Sequence, residues 1–267
     1  MTAIITEKFR QHNATQFFES FSEASATVYY LMIGKSMPFT SGTSGGSDDS
    51  PPTPADDISS EFYTWDSAIA AKKITTSNIS KVIPRRDWAN STTFDMYEDN
   101  ISSSNTTTSG ATNIFDSTFY FRTSDNRVYL VLDNNGGSAY SGAEPTSEST
   151  SSFVLGGYTL KYLYTISASQ QATFMTTDFM PVSTDSTVSA AATDGAIESI
   201  IVTNTGSGLT NGTYYAAVYG DGTSQGTSSG AIIKITVSGG AISAVSTGNT
   251  DVFQAGAGYT FGTVNLG

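Results

Sequence analysis

Short blocks of β-branched and aromatic residues, bounded by stretches of Ser, Thr, Gly, Asn and Pro, constrain this 267-residue chain most. Blocks of this length make strands and tight turns more readily than long helices. Residues 3–10 alternate weakly and read as a strand. Residues 13–23 read as a short helix, with Asn13 as its cap and Phe17, Phe18 and Phe21 on one apolar face. Residues 27–33 are almost continuously apolar, the pattern of a strand buried on both faces. A Ser/Thr/Gly/Pro/Asp loop covers 40–56. Asp56 and Asp57 then open a second predicted helix that runs to about Lys73, with Phe62, Trp65 and Ile69 as a core-facing stripe and Lys72 and Lys73 complementing its dipole. A strand over 74–83 leads to Pro84.

Further on, residues 100–113 are low-complexity Ser, Thr and Asn. Residues 114–122 and 126–133 pair as a hairpin across Thr123, Ser124 and Asp125. After a polar loop at 134–151, residues 158–166 alternate aromatic and polar side chains, which predicts a strand with one wet face. Residues 168–173 suit a helical turn. The last 75 or so residues differ in texture: the Gly195–Val202 segment returns loosely at Gly240–Val245, offset by 45, and Gly206-Ser207-Gly208 returns as Gly256-Ala257-Gly258, offset by 50. Such recurrence predicts two stacked hairpin units with glycine turns. The expected fold class is mainly β: a layered β-sandwich over 1–185 with two short helices on connecting loops, followed by a small C-terminal β-repeat domain over 190–267.

Charge narrows the function. Charged residues are 13% of the chain, about half the usual share, and the net charge is −12. Beyond Tyr162 one cation, Lys234, stands against six acids, a formal charge of −5. Nucleic acid and anionic membranes both require a clustered positive field, so neither is an expected partner. No stretch approaches the roughly 18 apolar residues of a membrane span, and the first residues carry no signal-peptide pattern. With no cysteine, disulfides, thiolate metal sites and cysteine nucleophiles are excluded. Assembly in a cytoplasm is expected.

Against that acidic background, three of the twelve Lys and Arg fall within Lys81-Val82-Ile83-Pro84-Arg85-Arg86-Asp87-Trp88. Pro84 pushes Ile83 into an extended conformation, so the octet reads as a strand entering a rigid turn. Arg85 and Arg86 offer planar forks to carboxylates, Asp87 supplies one, and Trp88 adds apolar area with one polar handle. An ion-paired surface turn and a docking anchor both fit these residues.

Read with three further segments, the octet resembles the baseplate wedge proteins of T-even-type contractile-tailed phages, the gene-eight product family. The segments are residues 3–10 with Lys8-Phe9-Arg10, residues 27–39 with Gly34-Lys35-Ser36, and residues 157–166. Leu160 stands where that family often has Trp. The resemblance covers about residues 1–183. It implies a structural part of the virion tail baseplate, with no catalysis and no cofactor, that binds other wedge proteins and a second copy of itself and rearranges on tail contraction. Arg85, Arg86, Asp87, Trp88, Lys8, Arg10 and Lys35 are then the interface candidates.

Chemistry offers little competition. His12 is the one histidine, in polar surroundings, and no nucleophile elbow or P-loop accompanies it. Asp95, Glu98 and Asp99 resemble a carboxylate set for glycoside cleavage, but a solvated loop explains them more simply. Asp133-Asn134-Asn135-Gly136 and Gly220-Asp221-Gly222 are fragments of calcium loops that read better as turns. The alternative function is a glycan- or receptor-binding module, for which Tyr214, Tyr215, Tyr219 and Tyr259 are the aromatic candidates; filling the small core between the repeats is the competing use for them.

Overall fold

Antiparallel pairing of the short apolar blocks organises the chain, in a computed structural model that describes residues 7–34, 50, 68–98, 100–198, 200, 202–220, 229–243, 252–259 and 262–264. It divides into two units, residues 1–81 and 82–267. The fold is mainly β, as the composition implies.

In the first unit, helix α1 (Glu7–Glu19) precedes strands β1 (Tyr29–Gly34) and β2 (Ala68–Ile74), which pair antiparallel from Tyr29↔Ile74 onward. The end of α1 packs on β1: Phe21 lies 4.6 Å from the Tyr29 ring and 5.3 Å edge-on from Phe17. Lys81 Nζ sits 5.3 Å over the Phe18 ring. Three expectations are corrected here. The segment predicted as a strand over 3–10 is helical in its described part. Glu7, Lys8, Arg10 and Gln11 are good helix formers that outweigh a weak alternation, so α1 starts earlier and Asn13 lies inside it rather than capping it. The predicted helix at 57–73 ends as strand β2 over 68–74, because pairing with β1 overrides the helix propensity of its alanines and lysines; Phe62, Trp65 and the 40–49 part of the predicted loop lie outside the described residues. Finally, β1 is not buried on both faces: Tyr30 and Leu31, which point to opposite faces, are both more than half exposed.

The second unit centres on a four-stranded antiparallel sheet in the order β4 (Tyr120–Arg122), β5 (Arg127–Asp133), β7 (Tyr158–Thr165), β6 (Phe153–Leu155). The predicted hairpin is present, its first strand confined to 120–122 rather than 114–122, with its turn closed by Thr123 N donating to Arg127 O at 2.8 Å. Both faces of the sheet are covered. On one lie Phe94, Phe121, Tyr129, Val131, Tyr140, Tyr158, Leu160 and Tyr162. On the other, Tyr120, Val128 and Tyr164 meet Ile166 and Met180, the last from a ribbon of β3 (Val82–Pro84) with β8 (Phe179–Pro181). The strand expected over 74–83 therefore shrinks to β3, preceded by a 3-10 turn at Thr76–Asn78. The wet face expected of β7 is also corrected: Thr159 is buried between β5 and β6, and Lys161 is neutralised by Glu198, 2.6 Å away. Helix α2 (Ala168–Phe174) fulfils the predicted helical turn, capped by Ser167, and α3 (Ser186–Ala191) is capped by Asp185. At the β6–β7 turn, Gly156 has φ +63, and a Cβ there would sit 2.6 Å from the Tyr140 ring. Only glycine lets that ring lie across the turn.

Residues beyond 194 build a separate core of Val218, Ala231, Ile233, Ile235, Val237 and Tyr259. Strand β11 (Ser229–Ser238) pairs with β9 (Gly212–Ala217) along one edge, and with β12 (Ala241–Ile242) and β13 (Val252–Ala257) along the other. A short ribbon joins β10 (Tyr219–Gly220) to β14 (Gly262–Thr263). Gly206 and Gly208 have φ +67 and +72, and Gly256 and Gly258 have φ +66 and +76.

The buried tyrosines predict alkaline unfolding. Burial raises the hydroxyl pKa of Tyr129, Tyr158 and Tyr164, and pushes that of Tyr140 up to about 12. In the unfolded chain they ionise near 10. Stability from these neutral phenols is therefore complete below pH 10 and falls as pH rises toward the folded values. Tyr140 alone contributes about 3 kcal/mol to that loss. Ultraviolet titration of tyrosinate should show a delayed group of phenols that ionise together with the loss of near-ultraviolet dichroism. Ionisation of all fourteen tyrosines near pH 10 with the fold intact would contradict this.

Candidate interface site

The octet leaves β3 and crosses the end of β4. Arg122 N donates to Arg86 O at 2.7 Å and Trp88 N to Arg122 O at 2.8 Å, so Asp87 forms a parallel bridge with Arg122. The Asp87 carboxylate is gripped from two sides. Arg85 reaches it through Nε at 2.9 Å and Nη2 at 2.8 Å, and Arg122 through Nε at 2.8 Å and Nη2 at 2.7 Å. Its partial burial would raise its pKa, but hydrogen bonds from both guanidinium groups outweigh this and hold it below the usual carboxylate range. Arg85 also donates to Thr176 O and Arg86 to Phe115 O and Asp116 O, so both forks clamp their own chain. Trp88 packs edge-on to Tyr140 at 5.8 Å. Its indole N–H and Arg86 Nε are buried without a hydrogen-bond partner among the described residues.

The other interface candidates belong to the first unit of the chain. Lys8 and Arg10 belong to α1, where Arg10 is exposed, and Lys35 lies outside the described residues. The local Arg85–Asp87 pair was legible in sequence. Arg122 was not, because it joins the cluster from 35 positions away through strand pairing. The exposed apolar side chains of β1 and β2 were also missed, since a continuous apolar run signals burial.

The carboxylates considered for glycan cleavage take unrelated roles. Asp95 is fully buried. It accepts from Ser109 N and Ser109 Oγ, both at 2.7 Å, from Thr118 N at 2.8 Å and from Ser117 Oγ at 3.0 Å. Burial alone would raise its pKa, but these donors hold it below the usual carboxylate range, the opposite of what a general acid requires. Glu98 accepts from Asn105 at 2.8 Å, and Asp99 lies outside the described residues. His12 is exposed on α1. Asp133–Gly136 is a turn in which the Asp133 carboxylate accepts from Asn135 N at 2.7 Å; Asp221 and Gly222 lie outside the described residues. Among the described residues no group of three His, Cys, Asp or Glu is placed to hold a metal ion, and no helix is long and apolar enough to cross a membrane. Of the four C-terminal tyrosines, Tyr259 is buried, its hydroxyl donating to Val218 O and accepting from Ala231 N. Tyr214, Tyr215 and Tyr219 are exposed.

Two comparisons bear on these surfaces. A family model described as Bacteriophage T4, Gp8 matches residues 3–133. The baseplate wedge protein gp8 of Enterobacteria phage T4 is 30% identical over 96 residues, which span 36% of this chain and 28% of that relative. The matched residues include α1, the β1–β2 ribbon, the octet and the β4–β5 hairpin. The match over residues 3–133 supports the family resemblance read from the sequence.

Proposed function

We propose that this chain is a structural subunit of a contractile-tail baseplate wedge, acting through protein–protein contacts and not through turnover of a substrate. The family match over residues 3–133 carries the reading. The surface supports it. The β1–β2 ribbon exposes Tyr30, Leu31, Ile33 and Ile69, the first and last at 63% and 64%. A two-stranded ribbon is marginal in water by itself, and apolar side chains open on both faces suit a docking element for neighbouring wedge proteins. In the octet, Asp87 stays partly open, and Val82 and Phe179 are exposed on the adjoining β3–β8 ribbon. Arg85, Arg86, Asp87 and Trp88, with Lys8, Arg10 and Lys35, are proposed to hold partners in the wedge, including a second copy of this chain, and to keep them engaged as the tail contracts. Localisation in the virion tail follows from the same reading, as does assembly in the host cytoplasm with neither nucleic acid nor membrane as partner.

Sedimentation of the purified chain, alone and co-expressed with the baseplate proteins of its own phage, tests this. A species heavier than the 28.1 kDa monomer is expected. Leu31→Asp is expected to weaken its formation by about tenfold or more. A chain that stays monomeric and ignores every baseplate neighbour would sink the reading.

A further inference from the structure

The outer face of the C-terminal sheet departs from what an exposed sheet face should show. Along β11, Ala231, Ile233, Ile235 and Val237 enter the core, so Ile232, Lys234 and Thr236 lie on the opposite face. Tyr215 on β9 stands opposite Lys234 and shares that outer face. On β13, Phe253 occupies the register irregularity between the partners of Ile232 and Ile233. From there its ring meets Tyr215 edge-on at 5.1 Å, across the central strand. Tyr215 is 59% exposed and Phe253 66%. A wet face of an antiparallel sheet is ordinarily polar, yet here two aromatic rings touch each other in solvent.

We propose that the Tyr215–Phe253 pair is a carbohydrate-binding platform. A pyranose ring has an apolar C–H face that stacks on an aromatic ring, while its hydroxyls seek uncharged hydrogen-bonding groups. Thr213, Thr236 and Gln254 supply such groups beside the rings, and Lys234 is the single charged residue in β9, β11 and β13. The dimensions favour a small ligand. Two rings at this exposure offer about 250 Å², whereas a stable protein interface needs about 800 Å² from each partner. The inference is independent of the wedge role, since the pair lies outside the matched residues 3–133.

The full-length chain should be tested on a printed array of bacterial O-antigen and capsular oligosaccharides, with the strongest hit titrated calorimetrically. At least one oligosaccharide is expected to bind with millimolar or better affinity. Tyr215→Ala and Phe253→Ala should each weaken it by about tenfold or more, and Tyr215→Trp should retain it. Both side chains are exposed, so thermal melts of the variants should match the parent and exclude misfolding as the cause. The proposal is overturned if no oligosaccharide binds at millimolar concentration, or if the alanine variants bind as the parent does. Loss of baseplate-partner binding in those variants, without any glycan binding, would also overturn it by making the rings a protein contact.

Discussion

Replacing Asp95 with alanine should lower folding stability by about 3–5 kcal/mol and the melting temperature by about 10 °C for a chain of this size. The carboxylate is fully buried and ionised, and four donors converge on it from Ser109, Ser117 and Thr118. Removing it strands the Ser109 and Thr118 amides without their acceptor, each at a cost of about 1–3 kcal/mol. It also unties the polar segment before β4, whose Ile114 and Phe115 are exposed. Asp95→Asn should cost less, about 2–3 kcal/mol, because the amide keeps the shape but turns one acceptor into a donor facing donors. The acid limb tests the charge. The folded pKa lies below the unfolded value, so the stabilisation is complete above about pH 4 and disappears as pH falls through the folded value. The parent should therefore lose stability on acidification more steeply than Asp95→Asn. Equal acid limbs, or a melt within about 2 °C of the parent, would show that the carboxylate is not holding the segment.

Truncation of Tyr158 should be of similar size. Its ring is fully buried against Tyr140 at 5.3 Å, and its hydroxyl accepts from Phe94 N at 3.1 Å and donates to Ser138 O at 2.6 Å. Tyr158→Ala opens a cavity and breaks both bonds, for about 4–5 kcal/mol. Tyr158→Phe keeps the packing and leaves the two backbone groups unpaired, for about 2 kcal/mol. Denaturant melts give the difference between the variants, which isolates the packing contribution. Amide exchange at Phe94 should quicken in Tyr158→Phe beyond what the global loss explains. A phenylalanine variant as stable as the parent would mean that solvent reaches those groups.

Several elements were legible from residues alone. Strands β5 and β7 and helix α2 are set within a few positions by alternation and turn residues, whereas the first strand of the hairpin, expected over 114–122, forms only at 120–122; the octet showed its strand-turn through Pro84. The surface was legible more coarsely: an acidic, hydroxyl-rich chain without cysteine has few routes to chemistry and many to contact. Tertiary structure decided the rest. Residues 68–74 hold helix formers, yet become β2 because β1 supplies a hydrogen-bonding partner from some forty positions away. Asp95 looked like a loop carboxylate until donors from Ser109, Ser117 and Thr118 closed around it, and Asp87 gained its second guanidinium only when β4 lay beside the octet. Local propensities differ by less than about 1 kcal/mol per residue. Cross-strand pairing and buried charge satisfaction are larger and come from distant residues, so they overrule the local pattern wherever the two disagree.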